Sequence, residues 1–355
     1  MNKGSLLQTT VEHLDIKAVN VVPLVEMMGR TAFQARNLAR AAQIADAMVA
    51  DPQATVILTL AGSLISAGQK GVILDLLRCN AVDVIVSTGA NIVDQDFFEA
   101  LGFRHYQGSP VADDNALREQ MIDRIYDTYI DEEQLRVCDE TVRTIADGLA
   151  PGAYSSREFI RAMGSYLEAQ RPDAESIVLE CYRREVPIFV PAFSDCSAGF
   201  GLVAHQVANP EGHVSIDSVK DFRELTAIKV WAGTTGLMMI GGGVPKNFVQ
   251  DIVVSAKFLG FAATMHQYAV QLTVADERDG ALSGSTLKEA NSWGKVSLAQ
   301  EQMVFGEATV IFLLLAGYVY HQGSWRGRQS RAWAKALREG SGLPVANPVA
   351  TQDML

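Results

Sequence analysis

No two of the four cysteines in this chain, Cys79, Cys138, Cys181 and Cys196, stand at a CxxC spacing, and none has a histidine partner at metal-ligand spacing. That excludes the usual zinc arrangements and a disulfide framework, so four reduced thiols and no metal are expected. Positive charge is also in short supply, with 30 Lys and Arg against 41 Asp and Glu and a net charge of −11. A nucleic-acid surface needs clustered cations to displace phosphate counterions, so no nucleic-acid partner is expected. Cationic ligands suit such a surface better, unless the charge serves solubility alone. Long apolar runs are missing too: the stretch from Val310 to Tyr320 falls short of the roughly 20 residues a membrane span requires. The N-terminus lacks the basic-then-apolar pattern of a signal peptide, and a cytoplasmic protein without membrane attachment is expected.

What is present is a large apolar content, 48% of 355 residues, enough for a core without external staples. No Pro/Gly/Ser-rich linker divides the middle, which predicts one large domain over residues 20–339. Residues 1–19 read as a loose N-terminal arm and 340–355 as a polar C-terminal tail. From Leu24 to Val49 apolar residues fall at helical spacing around Arg30-Thr31. Thr55–Leu60 is then a β-branched run ending in Ala61-Gly62-Ser63, followed by a helix-like stretch to Arg78 and a second run, Val82–Val86, ending in Ser87-Thr88-Gly89. Further runs at Val186–Val190, Gly236–Ile240 and Tyr268–Val274 end in Pro191-Ala192-Phe193-Ser194-Asp195, Gly241-Gly242-Gly243 and Asp276-Glu277-Arg278-Asp279-Gly280. Strand, polar loop, helix, strand is the order of a parallel α/β sheet, in which the loops after the strands gather at one edge. The charged stretch Asp113–Leu167 reads as helix-rich.

Two segments could carry chemistry. Gly241-Gly242-Gly243-Val244-Pro245-Lys246 follows an apolar strand, and its glycines let backbone N–H groups approach a phosphate at a helix start. It matches neither a GxGxxG fingerprint nor a Walker loop, and a plain tight turn is the alternative. Asp276–Lys295 gathers Asp276, Glu277, Asp279, Glu289, Trp293 and Lys295. Carboxylates beside a tryptophan can bind an ammonium, and a lysine shielded from water loses its proton more easily and becomes a nucleophile for imine formation. The alternative is a solvated acidic loop with a surface lysine.

Ser292-Trp293-Gly294-Lys295, preceded by Glu289-Ala290, resembles the segment of deoxyhypusine synthases that carries the catalytic lysine. The likeness extends to Asp279-Gly280, the triple glycine with Lys246, Pro191–Asp195, Gly62-Ser63-Leu64-Ile65-Ser66-Ala67-Gly68, and Phe33-Gln34-Ala35-Arg36-Asn37-Leu38, preceded by Ala32 in place of a usual glycine. The blocks keep the family's order across roughly residues 15–320.

This resemblance implies a Rossmann-like α/β sheet flanked by helices, and a homotetramer, a dimer of dimers, with sites between paired subunits. It implies NAD as cofactor and transfer of an aminobutyl group from a polyamine-like donor through an imine on Lys295, with Glu289 and Trp293 against the amine. Ser63, Ser66, Ser87, Thr88, Asp195, Gly241, Gly243, Asp279, Ser283 and Glu307 would adjoin the cofactor. Asn247 stands where the eukaryotic pattern has a substrate-binding histidine, and Leu282 and Phe200 stand where it has carboxylates. Losing two ammonium-pairing groups should alter which amine binds. The resulting expectation is homospermidine-like transfer between small amines. Modification of a lysine on the hypusine-bearing translation factor, or a non-catalytic NAD- or amine-binding role, are the alternatives.

Overall fold

The computed structural model describes residues 2–340 and 343. The expected polar tail, 340–355, therefore lies almost wholly outside the described residues. The centre is a six-stranded sheet of β1 (Thr55–Leu60), β2 (Val84–Ser87), β3 (Ile188–Phe189), β4 (Thr235–Ile240), β5 (Tyr268–Thr273) and β6 (Glu301–Phe305). Its spatial order is β6-β5-β4-β1-β2-β3 and every pairing is parallel. All six residues of β1 and of β4 are buried, as expected of central strands covered by helices on both faces. Cores form on both sides of the sheet, one including Val56, Leu58 and Leu60, the other Ile57, Leu237 and Met239, the alternation that period-two strands impose.

The order makes β1 and β4 the turning point of the topology: the chain winds outward from β1 through β2 to β3, then restarts on the other side with β4. A crevice between the carboxyl ends of two such strands is where open α/β sheets place ligands. Among the helices of the chain are α1 (Phe33–Ala50), α2 (Ser197–Ala208), α3 (Gly243–Phe258), α4 (Leu287–Ser292) and α5 (Ala308–Gln322). Among the described residues no helix is long and apolar enough to cross a membrane, and no group of three His, Cys, Asp or Glu side chains could hold a metal ion.

Two regions differ from the sequence reading and a third lies where it assigned no element. The N-terminal lead-in is docked rather than loose: Ile16 is buried, and a Cβ on Gly71 would lie 2.2 Å from the carbonyl oxygen of Leu14. Within the stretch read as helix-rich, Ile122–Ile125 and Thr128–Asp131 pair antiparallel and join Tyr106–Gln107 in a small second sheet. Finally, the segment after Gly89 runs as a π-helix, Ala90–Phe97, a rare form that often marks functional sites.

Candidate active site

Gly241 and Gly243 adopt φ values of +76° and +59°, in the left-handed region that favours glycine. Gly242, between them, is required for a different reason: a Cβ there would lie 2.4 Å from Ser283 Cα, so only glycine lets the loop after β5 close over this turn. Gly243 N–H donates to Ser283 Oγ at 3.0 Å and opens α3. Together with Ala61–Leu64, Leu272–Ala275 and Gly306–Thr309, Gly241, Gly242 and Ser283 line a cavity of about 370 Å³ at the topological turning point. Close backbone approach at a helix start, with no side chain in the way, suits a pyrophosphate.

A second cavity, about 640 Å³, adjoins the first through Ser63, Glu307 and Thr309 and reaches Ser66, Tyr126 and Asp127. Of the cofactor candidates, Ser63, Ser66, Gly241, Ser283 and Glu307 line one or both cavities, with Gly243 bonded to Ser283 behind them. Glu307 also caps α5, accepting from Thr309 N–H at 2.9 Å. Thr88 Oγ1 donates to Gly62 O at 3.2 Å and ties the β2 loop to the β1 loop, while Ser87 is buried at the end of β2. Asp279 and Asp195 line neither cavity. Asp279 shapes its loop by accepting from Ala281 N–H at 2.7 Å, and Asp195 is exposed in the turn before α2. An acidic neighbour of the β2 loop does emerge: Asp94, on the π-helix, accepts from Ser197 N–H at 2.7 Å. Burial pushes its carboxyl up to about 6, with Asp139 and Asp195 adding repulsion and the Ser197 bonds opposing it.

Lys246, on the first turn of α3, is buried and donates to Leu282 O at 3.0 Å, Ser285 Oγ at 3.0 Å and Ser285 O. Burial lowers its pKa to about 8; Glu289 opposes that shift and Lys295 adds to it. The side chain thus pins the 276–286 loop from beneath.

Lys295 lies in a different cavity, about 460 Å³, lined by Phe222, Asp251, Val254, Ser255, Phe258 and Trp293. α4 ends at Trp293, and Gly294, at φ +69°, turns the chain so that Lys295 N–H bonds back to Ala290 O at 3.0 Å. Its ammonium lies 5.3 Å from the centre of the Trp293 ring and 2.5 Å from Asp251 Oδ1. Asn247 joins them, its amide donating to Asp251 Oδ2 at 2.9 Å.

The structure therefore brings Lys295, Trp293 and Asn247 together, through a residue the sequence reading missed. Asp251 carried one signal only, its place one helical turn after Asn247 on α3. Glu289, expected against the substrate amine, is exposed on α4, and among the described residues the ion pair to Lys295 comes from Asp251. Leu282 and Phe200, at 44% and 70% exposure, line neither the lysine cavity nor the two at the sheet edge. The lysine cavity and the cavity at the turning point share no lining residue.

Comparison with known proteins agrees with the motifs. The pattern of the deoxyhypusine synthase family matches residues 23–319. A "Deoxyhypusine synthase-like protein" of Chlorobaculum parvum is 66% identical over 332 residues, 93% of this chain and 95% of that one. The "Probable deoxyhypusine synthase 2" of Methanosarcina mazei is 41% identical over 348 residues, 98% of this chain and 99% of that one. The crystal structure of a deoxyhypusine synthase candidate from Entamoeba histolytica superposes with a TM-score of 0.60 at 17% identity, covering 91% of this chain and 99% of the other, a likeness of fold. With a family pattern over most of its length and relatives this similar, the chain belongs to the deoxyhypusine synthase family.

Proposed function

We propose that the protein is an NAD-dependent transferase that moves an aminobutyl group from a polyamine-like donor to a small acceptor amine through an imine on Lys295, in the manner of homospermidine formation. The observation that carries this reading is the seat of Lys295: a nucleophile-bearing lysine in an aromatic cavity, with a carboxylate in contact and Trp293 beside it. Trp293, Phe222 and Phe258 offer ring faces to an alkylammonium.

The glycine cradle at Gly241–Gly243 fits NAD, with Ser63, Ser66, Ser283 and Glu307 around it. When bound, NAD would supply the hydride acceptor and donor for the redox half of the transfer. Because the cradle and the lysine cavity share no residue, a site built from the cradle of one subunit and the lysine of its partner, within a tetramer of two dimers, accounts for the arrangement. Modification of a protein lysine on the hypusine-bearing translation factor draws equal support from family membership; supplying small amines or that factor as acceptor distinguishes the two.

The test is borohydride treatment during turnover with NAD and a polyamine donor, followed by peptide mass spectrometry. Donor carbon should appear on Lys295. Lys295→Arg keeps the charge but has no amine that can be deprotonated, so transfer should fall by at least about three orders of magnitude. Normal transfer by that variant, or label on another lysine, would overturn the covalent route.

A further inference from the structure

We propose that Asp251 positions Lys295 for attack and exchanges its proton during imine formation, a role that rests on the transfer chemistry proposed above. Its carboxylate is held at both oxygens, by Lys295 Nζ at 2.5 Å on one and by the Asn247 amide at 2.9 Å on the other. All three anchors sit on ordered elements: Asn247 and Asp251 one turn apart on α3, Lys295 tied to Ala290 O just beyond α4. The lysine side chain is 13% exposed and that of Asp251 32%, so the pair lies at the wall of the cavity rather than in the solvent or the core.

Other charges surround Lys295 without replacing this contact. Lys257, from the last turn of α3, reaches to 3.5 Å from where a Cβ on Gly294 would lie. Lys246 on the first turn of α3 and Glu289 on α4 are close enough to interact with each other, as are Lys246 and Lys295. Among the described residues Asp251 is the carboxylate in ion-pair contact with Lys295. Two neighbouring cations and one touching anion form a setting in which the proton on Nζ has one short path out.

In the step itself, the donor has already lost a hydride to the dinucleotide and presents an iminium carbon. Asp251 Oδ1 takes one proton from the Lys295 ammonium, and the freed lone pair bonds to that carbon. A second Nζ proton passes to the departing nitrogen. The carbon–nitrogen bond then breaks with its electron pair on that nitrogen, leaving a protonated lysine imine. The released amine collects the proton held by Asp251. Nothing is oxidised or reduced in this exchange, and Asp251 ends as it began.

The experiment compares the unmodified protein with Asp251→Asn and Asp251→Glu, by two readouts. Transfer activity should fall by about 10²–10³ in Asp251→Asn and recover in part in Asp251→Glu, as expected for a positioned proton carrier. The second readout needs neither cofactor nor donor: reductive methylation of Lys295 by formaldehyde and cyanoborohydride, followed by mass spectrometry. Asp251 holds Nζ in an ion pair, so Asp251→Asn should label several-fold faster than the unmodified protein in the same neutral buffer and at the same rate once both are denatured. Transfer by Asp251→Asn within about twofold of the unmodified protein, or labelling unchanged at neutral pH, overturns the proposal. If the unmodified protein transfers nothing, the functional reading has failed, and the labelling arm still decides whether Asp251 controls the Lys295 proton.

Discussion

Asp221 sits wholly buried in the first turn of the helix Ser218–Ala232, with neither carboxylate oxygen in a well-formed hydrogen bond. Burial pushes it up to about 7; the nearby Ser156 hydroxyl pulls the value back, and Glu224 adds repulsion. Its unfolded value is about 3.9, so the folded state holds an extra proton between about pH 4 and pH 7. Stability contributed by the neutral form is complete below that window and lost as the pH rises through it, by roughly a few kcal/mol at about 1.4 kcal/mol per unit. Asp221→Asn cannot ionise. Urea unfolding of this variant should vary less between mildly acid and mildly alkaline buffer than that of the unmodified protein; equal slopes would show that Asp221 does not titrate in this range. At this scale the sequence disclosed what local order can disclose. Lys295, Trp293 and the triple glycine are contiguous signatures, whereas Asp251 becomes a partner of Lys295 only after α3 and α4 pack together, and Lys246 becomes a clamp only when the 276–286 loop lies over it.

Elements were legible in proportion to how apolar and how sharply bounded their sequences are. β1 and β4 are continuous apolar runs closed by glycine-bearing loops, and both lie where their residues predict. β6, Glu301–Phe305, escaped notice because Glu301 and Gln302 open an edge strand that is only partly covered. The small antiparallel sheet was hidden for a different reason: Thr128–Asp131 is fully buried, but Asp123, Arg124 and Asp131 give the strands the charge content of a helix surface. The turn between β4 and α3 is the element most sensitive to change. Gly242→Ala would force its methyl against the Ser283 backbone and lift the 276–286 loop away from the cradle. Circular dichroism should report an intact fold, while NAD-dependent thermal stabilisation should disappear. A ligand at about a hundredfold excess over Kd stabilises by about 2.7 kcal/mol, so the loss is measurable. Full stabilisation of the variant would place the cofactor elsewhere.

For the whole molecule, the separation of the glycine cradle from the lysine cavity is the feature that matters. Phe200, Val203 and Val207 leave an apolar stripe exposed on α2, and Val244, Val254 and Phe258 do the same along α3 beside the lysine cavity. Surfaces of this kind are covered in oligomers. Light scattering should give four times the chain mass of 38.5 kDa, and a stable, fully active monomer would remove the case for a shared site.

The separation of the cradle from the lysine cavity has a genetic consequence. If each centre takes its lysine from one chain and its cradle from another, two inactive alleles can repair each other. A subunit with Lys295→Arg retains a sound cradle, and one with Gly242→Ala retains a sound lysine. When unfolded together and reassembled in equal amounts, mixed dimers would contain one intact centre and one doubly damaged centre. Random pairing would then restore about a quarter of the original centres. Defects confined to single chains would restore none, and co-expressing the two alleles would leave the cell as inactive as either alone.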